Sequence, residues 1–247
     1  MRTPILGYAA AVLFAAGCLR AQPPREADAI RQWKCDDLPH FQFCYSGQTE
    51  DPEIIATGKD DAERSLANLL RLAGVSTYGP RIHLFMVESY ARLQDLTGYY
   101  AAGSSRPSEH TVFYVVGHPE ALTHELHHEV FTHVWGVSEP WIAEGYAAYA
   151  AEPGAVDGQF LPLLESDKAV PLDSMVNSWW DASFYSSKII YPELGSFVKY
   201  LKEKYGESKL RRAWRGGSKS IPQIYGKPLD AIETQWQAAV RKSVRKK

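Results

Sequence analysis

The segment from Pro119 to Trp135, PEALTHELHHEVFTHVW, narrows the folds open to this chain more than any other stretch. His124 and His128 stand four residues apart, which on a helix puts them on one face, one turn above the other. Their imidazoles then aim at a single point, with Glu125 about 100° round the helix beside them. Leu122, Leu126, Val130 and Val134 repeat at the same spacing on another face and supply an apolar anchor. Four of the eight histidines fall between 124 and 133, and His124-Glu125-Leu126-His127-His128 matches H-E-x-x-H, a pair of metal ligands with a general base. His127, three residues on from His124, and His133, nine residues on, suit the same ion less well and are expected to pack or to support the ligands.

Zinc in a catalytic site takes three protein ligands and leaves a fourth position for water. Two histidines therefore call for a third donor from elsewhere. Glu144 stands sixteen residues beyond His128, in Glu139-Pro140-Trp141-Ile142-Ala143-Glu144-Gly145-Tyr146. Pro140 opens a new helix and Glu144 lies one turn inside it. The expected set is His124, His128 and Glu144 around Zn2+, which acidifies a bound water to a pKa of about 7. Glu125 is the expected base, taking the water's proton and handing it to the leaving amine.

These residues carry a resemblance. HELHH followed by PWIAEGYAAY is similar to the gluzincin metallopeptidases, most closely to the peptidase MA-like families of bacterial envelope proteins. Those families pair HExxH with W-x-x-E-G, which is Trp141 to Gly145 here. The stretch from Tyr191 to Gly206 resembles their tyrosine-led C-terminal helix, so the likeness spans roughly residues 80 to 210. The resemblance implies an α+β, zincin-like (thermolysin-type) fold of two lobes. A small mixed sheet with helices precedes a helical C-terminal lobe, and the zinc lies in the cleft. It also implies that the strand before the metal helix pairs with extended substrate by main-chain hydrogen bonding, a role that falls to Phe113, Tyr114 and Val115. The segment Tyr99 to Ser105 then forms its rim; an internal strand with a surface loop is the alternative. An oxyanion donor is implied at Tyr191, with Tyr185 as its rival. Trp179, Trp180, Phe184 and Tyr185 either wall a specificity pocket or pack the lobe. The pattern departs from thermolysin-like enzymes at Ala148, where those carry an aspartate that orients a zinc histidine. A carbonyl or another carboxylate must serve that purpose here.

Met1 to Ala21 reads as a secretory signal, with Arg2 followed by thirteen apolar-rich residues from Ile5 to Gly17. Such a run is too short to span a bilayer core of about 30 Å. Phe14-Ala15-Ala16-Gly17-Cys18 is the competing pattern, a lipobox in which Cys18 would carry a lipid anchor. Both readings export the protein to a periplasmic or extracellular location. Export leaves Cys35 and Cys44 as an even pair on either side of Asp36-Asp37-Leu38-Pro39-His40, which fits a disulfide. A zinc pair with His40 is the alternative, but it lacks C-x-x-C spacing.

Removing Arg2 and Arg20 from the 27 basic residues leaves 25 against 29 acidic ones, a balance that excludes nucleic-acid binding as a driving purpose. The basic tail Arg241 to Lys247 is a solvated end or a contact to anionic lipid. No G-x-S-x-G occurs, so an esterase elbow is absent. Strands are expected at 41–45, 81–87 and 111–116, with helices at 60–73, 89–96, 194–205 and 231–244. That order predicts one domain over residues 22–247, with an α/β part to about residue 118 and a mainly helical part from 119. The expected function is an exported, monomeric zinc peptidase acting on peptide or protein. A non-catalytic envelope binding protein that keeps the fold is the alternative.

Overall fold

Alternating apolar residues build a five-stranded mixed sheet in the first part of the chain. The structure, a computed structural model, describes residues 33–46, 49–178 and 187–244. Strands β1 (Lys34–Asp37) and β2 (Phe41–Tyr45) form an antiparallel hairpin that sets Cys35 opposite Cys44, and the two are joined as a disulfide. Closing so short a loop stabilises the hairpin by about 2–3 kcal/mol in the chain-entropy picture. β2 runs parallel to β3 (Ile82–Val87), and β3 parallel to β5 (Thr111–Val115). β4 (Gly103–Arg106) pairs antiparallel with the far side of β5, giving the order β1-β2-β3-β5-β4.

This topology overturns one expectation. Phe113, Tyr114 and Val115 lie in an internal strand, because β4 occupies the side that was expected to be free. All three are buried. The edge is β4 itself, drawn from the segment read as a flexible rim. Gly-Ser-Ser-Arg offers no apolar alternation, so nothing in it announces a strand.

Helix α1 (Pro52–Ala73) connects β2 to β3 and starts eight residues before the expected Asp60. Asp51 caps it by accepting a hydrogen bond from Glu53 N at 2.8 Å, and Pro52 pre-sets the first turn. Gly74 ends it in the left-handed region, at φ 74°. Ala62, Leu66, Leu69, Leu70 and Ala73 are buried along its inner stripe, as expected. On the opposite face of the sheet, Cys44, Phe85, Val87, Phe113 and Val115 pack with Trp33 and with Leu93 and Leu96 of α2 (Tyr90–Thr97). Phe85 and Phe113 are register partners and stack at 4.9 Å.

Helix α3 (Pro119–Trp135) has the bounds the sequence implies. The described residues group into two compact units divided inside this helix, between Val130 and Phe131. Leu122, Leu126 and Val130 are fully buried, whereas Val134 is only half-buried, and Phe131 and Trp135 continue the buried surface instead.

From Phe131 on, the described chain is helical: α4 (Pro140–Ala151), α5 (Val156–Glu165), α6 (Leu172–Asn177), α7 (Ser187–Tyr205), α8 (Glu207–Gly216), α9 (Ile221–Tyr225) and α10 (Leu229–Val244). Phe131, Trp135, Tyr146 and Trp214 form one aromatic cluster, with centroids of Phe131 and Trp135 4.7 Å apart and of Phe131 and Tyr146 4.8 Å apart. Trp214 Nε1 donates to Gly136 O at 2.8 Å, and Tyr146 Oη to Glu207 at 2.8 Å, so the buried polar tips are satisfied. Phe160 stacks on Trp236 at 4.5 Å, and Trp236 Nε1 donates to Ser196 Oγ at 3.0 Å. Among the described residues no helix is long and apolar enough to cross a membrane. The signal or lipobox segment, with Cys18, lies outside the described residues.

Two carboxylates fasten the stretch before α6. Glu193 accepts from Val170 N at 3.0 Å, and Glu233 from Leu172 N at 3.1 Å. Glu193 is completely buried, and desolvation outweighs that hydrogen bond, pushing its carboxyl up to about 8. The folded protein thus keeps a proton that the unfolded chain releases near 4.5. Stability should therefore fall as pH rises from about 4.5 to about 8, by at most ~1.4 kcal/mol per pH unit from this group. In Glu193→Gln the amide oxygen still accepts from Val170, and this slope should vanish. Urea unfolding of both proteins at pH 5, 6.5 and 8 checks it: the variant must gain on the wild type with each step upward.

Candidate metal centre

The ligand helix is built to point polar groups inward. Over Glu125 to Phe131 seven consecutive residues are buried, among them Glu125, His127, His128 and Glu129. His124 is half-buried. The Nε2 atoms of His124 and His128 lie 3.1 Å apart, so both rings converge as one-turn spacing demands. Glu144, 2 % exposed, sits in the first half of α4. Donor atoms of His124, His128 and Glu144 all lie within 4.8 Å of one another. The group can hold a metal ion. Two nitrogens each about 2.0–2.1 Å from a tetrahedral ion stand about 3.3 Å apart, close to the separation observed. Two neutral imidazoles and one carboxylate are a borderline donor set, suited to a transition-series divalent ion with open positions left for water.

Neighbouring residues sort themselves around this trio. His127 is fully buried, and burial, followed by the charges of His128 and His124, holds its imidazole well below the ordinary histidine range. It is a neutral packing residue, its ring 5.8 Å edge-on from that of His128. His133 is exposed. Ala148, at the position of the absent aspartate, is buried against α7: a Cβ on Gly195 would come within 3.2 Å of its methyl group. The position is given over to helix packing.

Gly145 explains the glycine of the W-x-x-E-G pattern. A Cβ there would lie 2.7 Å from Val198 Cγ2 and 2.8 Å from Leu194 O on α7, a backbone contact that cannot yield cheaply. The residue after Glu144 must be glycine for α4 to lie this close to α7. Gly103 is the second close contact. A Cβ on it would lie 2.6 Å from Glu125 Cγ, so β4 passes directly against the side chain expected to act as base.

Sequence reasoning missed Glu129. It is completely buried, and its Oε1 accepts from Tyr78 Oη at 2.5 Å while His110 Nδ1 lies 2.6 Å from the same oxygen. This pins the turn of α3 that carries His128 to the loop before β5. The partners lie 51 and 19 residues away in the chain, and no local pattern links them. Tyr191 lies half-buried near the start of α7. Tyr185, Trp179, Trp180 and Phe184 fall outside the described residues.

No family model matches the chain, and no curated protein matches it either.

Replacing His128 or Glu144 by Ala should weaken divalent-ion binding by more than the roughly 10–100-fold typical of residues that only orient a ligand. His133→Ala should leave it unchanged. Competition against a chromophoric chelator reads both. Gly145→Ala should lower stability by about 1–3 kcal/mol and weaken metal binding in parallel, measurable by urea unfolding and the same competition.

Proposed function

We propose that this protein is an exported zinc peptidase of the gluzincin type, with a zincin-like fold. The observation that carries the reading is the gathering of His124, His128 and Glu144 within 4.8 Å, with Glu125 buried next to the first ligand on the same helix. A helix that merely bound metal would have no need of that carboxylate. Zinc, when bound, supplies Lewis acidity that polarises the scissile carbonyl and eases deprotonation of water.

The chain's own residues do the rest. His124, His128 and Glu144 hold the ion. Glu125 accepts the proton of the attacking water and delivers it to the departing amine. Its confinement between the body of α3 and the bare backbone at Gly103 restricts it to few rotamers, as a base that must act twice requires. The edge strand β4 replaces β5 as the partner for an extended substrate: its outer N–H and C=O groups fit main-chain pairing with a peptide. Tyr191 is the donor proposed for the oxyanion, with Tyr185 as the competing residue. The disulfide between Cys35 and Cys44 supports an oxidising, exported location, periplasmic or extracellular.

Glu125→Gln keeps the size and polarity of the side chain but removes the base. It should retain stoichiometric zinc and lower hydrolysis of a peptide library by about 10²–10⁴-fold, and hydrolysis by the wild type should stop with a chelator. Undiminished hydrolysis by the variant would exclude Glu125 as base. Wild-type protein that binds zinc yet cleaves nothing would favour a non-catalytic binding protein instead. Gly103→Ala should reduce kcat with little change in metal content, because the added methyl displaces Glu125; steady-state kinetics beside zinc analysis tests this.

A further inference from the structure

A cavity lies wholly within the sheet-bearing unit and shares none of the metal-centre residues. It has a volume of about 500 Å³ and opens between the first half of α1 and the carboxyl ends of β3 and β5. Crevices outside the carboxyl ends of parallel strands are where open α/β sheets commonly bind small ligands. Met86, Tyr114 and Val116 supply an apolar inner surface, while Glu53 and Asp61 bring two carboxylates, and no basic side chain lines it. Asp61 does pair with Arg64, but that arginine is two-thirds exposed and reaches it from solvent, an arrangement that contributes little.

Tyr114 provides the independent sign of a ligand. Its side chain is 3 % exposed, and its hydroxyl has no hydrogen-bond partner among the described residues. Buried polar groups of this kind are normally satisfied. Burial and the charge of Asp61 hold the phenol well above its ordinary range, so the hydroxyl stays neutral and can accept from a cationic N–H. Gly58 keeps this wall open: a Cβ there would lie 2.7 Å from Tyr114 Oη and 3.0 Å from Met86 Sδ. The ring face and the thioether are soft, polarisable surfaces that favour an organic cation.

We propose that this cavity binds an ammonium group carried on an apolar stem, with Glu53, Asp61 and the Tyr114 hydroxyl facing the charge and Met86, Val116 and the Tyr114 ring enclosing the stem. The site is independent of the metal and of the peptidase reading.

The test uses the full mature protein and phenethylammonium as probe, with 2-phenylethanol as its neutral counterpart, followed by amide chemical shifts and titration calorimetry. Phenethylammonium should bind saturably, at least about tenfold tighter than the alcohol, and shift amides in 53–61 and 114–117. Glu53→Gln combined with Asp61→Asn should cost about tenfold or more. Thr57→Trp, at an exposed position on the cavity mouth, should abolish binding without touching the core. A chelator should change nothing. Equal affinity for the alcohol, undiminished binding in the double carboxylate variant, or binding that survives in Thr57→Trp overturns the proposal, as does the absence of saturation. Loss of binding on chelation would place the amine at the metal centre and overturn it equally.

Discussion

Burying a polar helix is the constraint on which this structure turns. Glu125, His127, His128 and Glu129 follow one another almost without interruption through the most enclosed part of α3. Each would be costly there without a partner or neutralisation. The solutions differ along one turn. His127 stays neutral, since its surroundings disfavour the charged ring. Glu129 takes Tyr78 and His110 on one oxygen. His128 turns its Nε2 toward that of His124. A helix that only had to pack would carry leucines at these positions, as it does at Leu122 and Leu126. Of these polar groups, His128 belongs with His124 and Glu144 to the group that can hold a metal ion.

That same helix shows why part of the site could be read in the sequence. Ligand spacing within α3 is a matter of 3.6-residue periodicity, so His124 and His128 converge whatever surrounds them. Glu144 was legible through Pro140, which fixes where α4 begins and therefore which residue lies one turn inside it. The Cys35–Cys44 bond was legible for a similar reason: a three-residue turn, Leu38 to His40, between two short strands puts them opposite each other. Local rules sufficed because each of these relationships lies within one or two elements.

Relationships between distant elements did not show. β4 has the composition of a loop and becomes a strand only because β5 offers an unpaired side. β5 is consequently internal, and the sheet edge on that side falls to a segment with no strand signal of its own. The first two turns of α1 were missed because Ile54, Ile55, Thr57 and Gly58 are poor helix residues. Asp51 and Pro52 start the helix in spite of them. Gly58 is there for the space it leaves beside Tyr114, a reason that exists only in three dimensions. Glu129 belongs with these: its burial and its two partners depend on loops from elsewhere in the chain.

The two carboxylates of the candidate centre share one device. Glu125 lies against Gly103, and Glu144 precedes Gly145, whose bare Cα meets the backbone of α7. In each case a missing side chain lets a main chain come close enough to fix the acid's position. Main chain is a better positioning element than side chain, since it has no rotamers to change and its own hydrogen bonds hold it in place. A histidine pair four apart on a helix is ordered by its helix alone. An acid drawn from another helix, or one proposed to move protons between two partners, has no such intrinsic order. Glycine contacts supply it, and that accounts for finding them beside the acids and not beside the histidines.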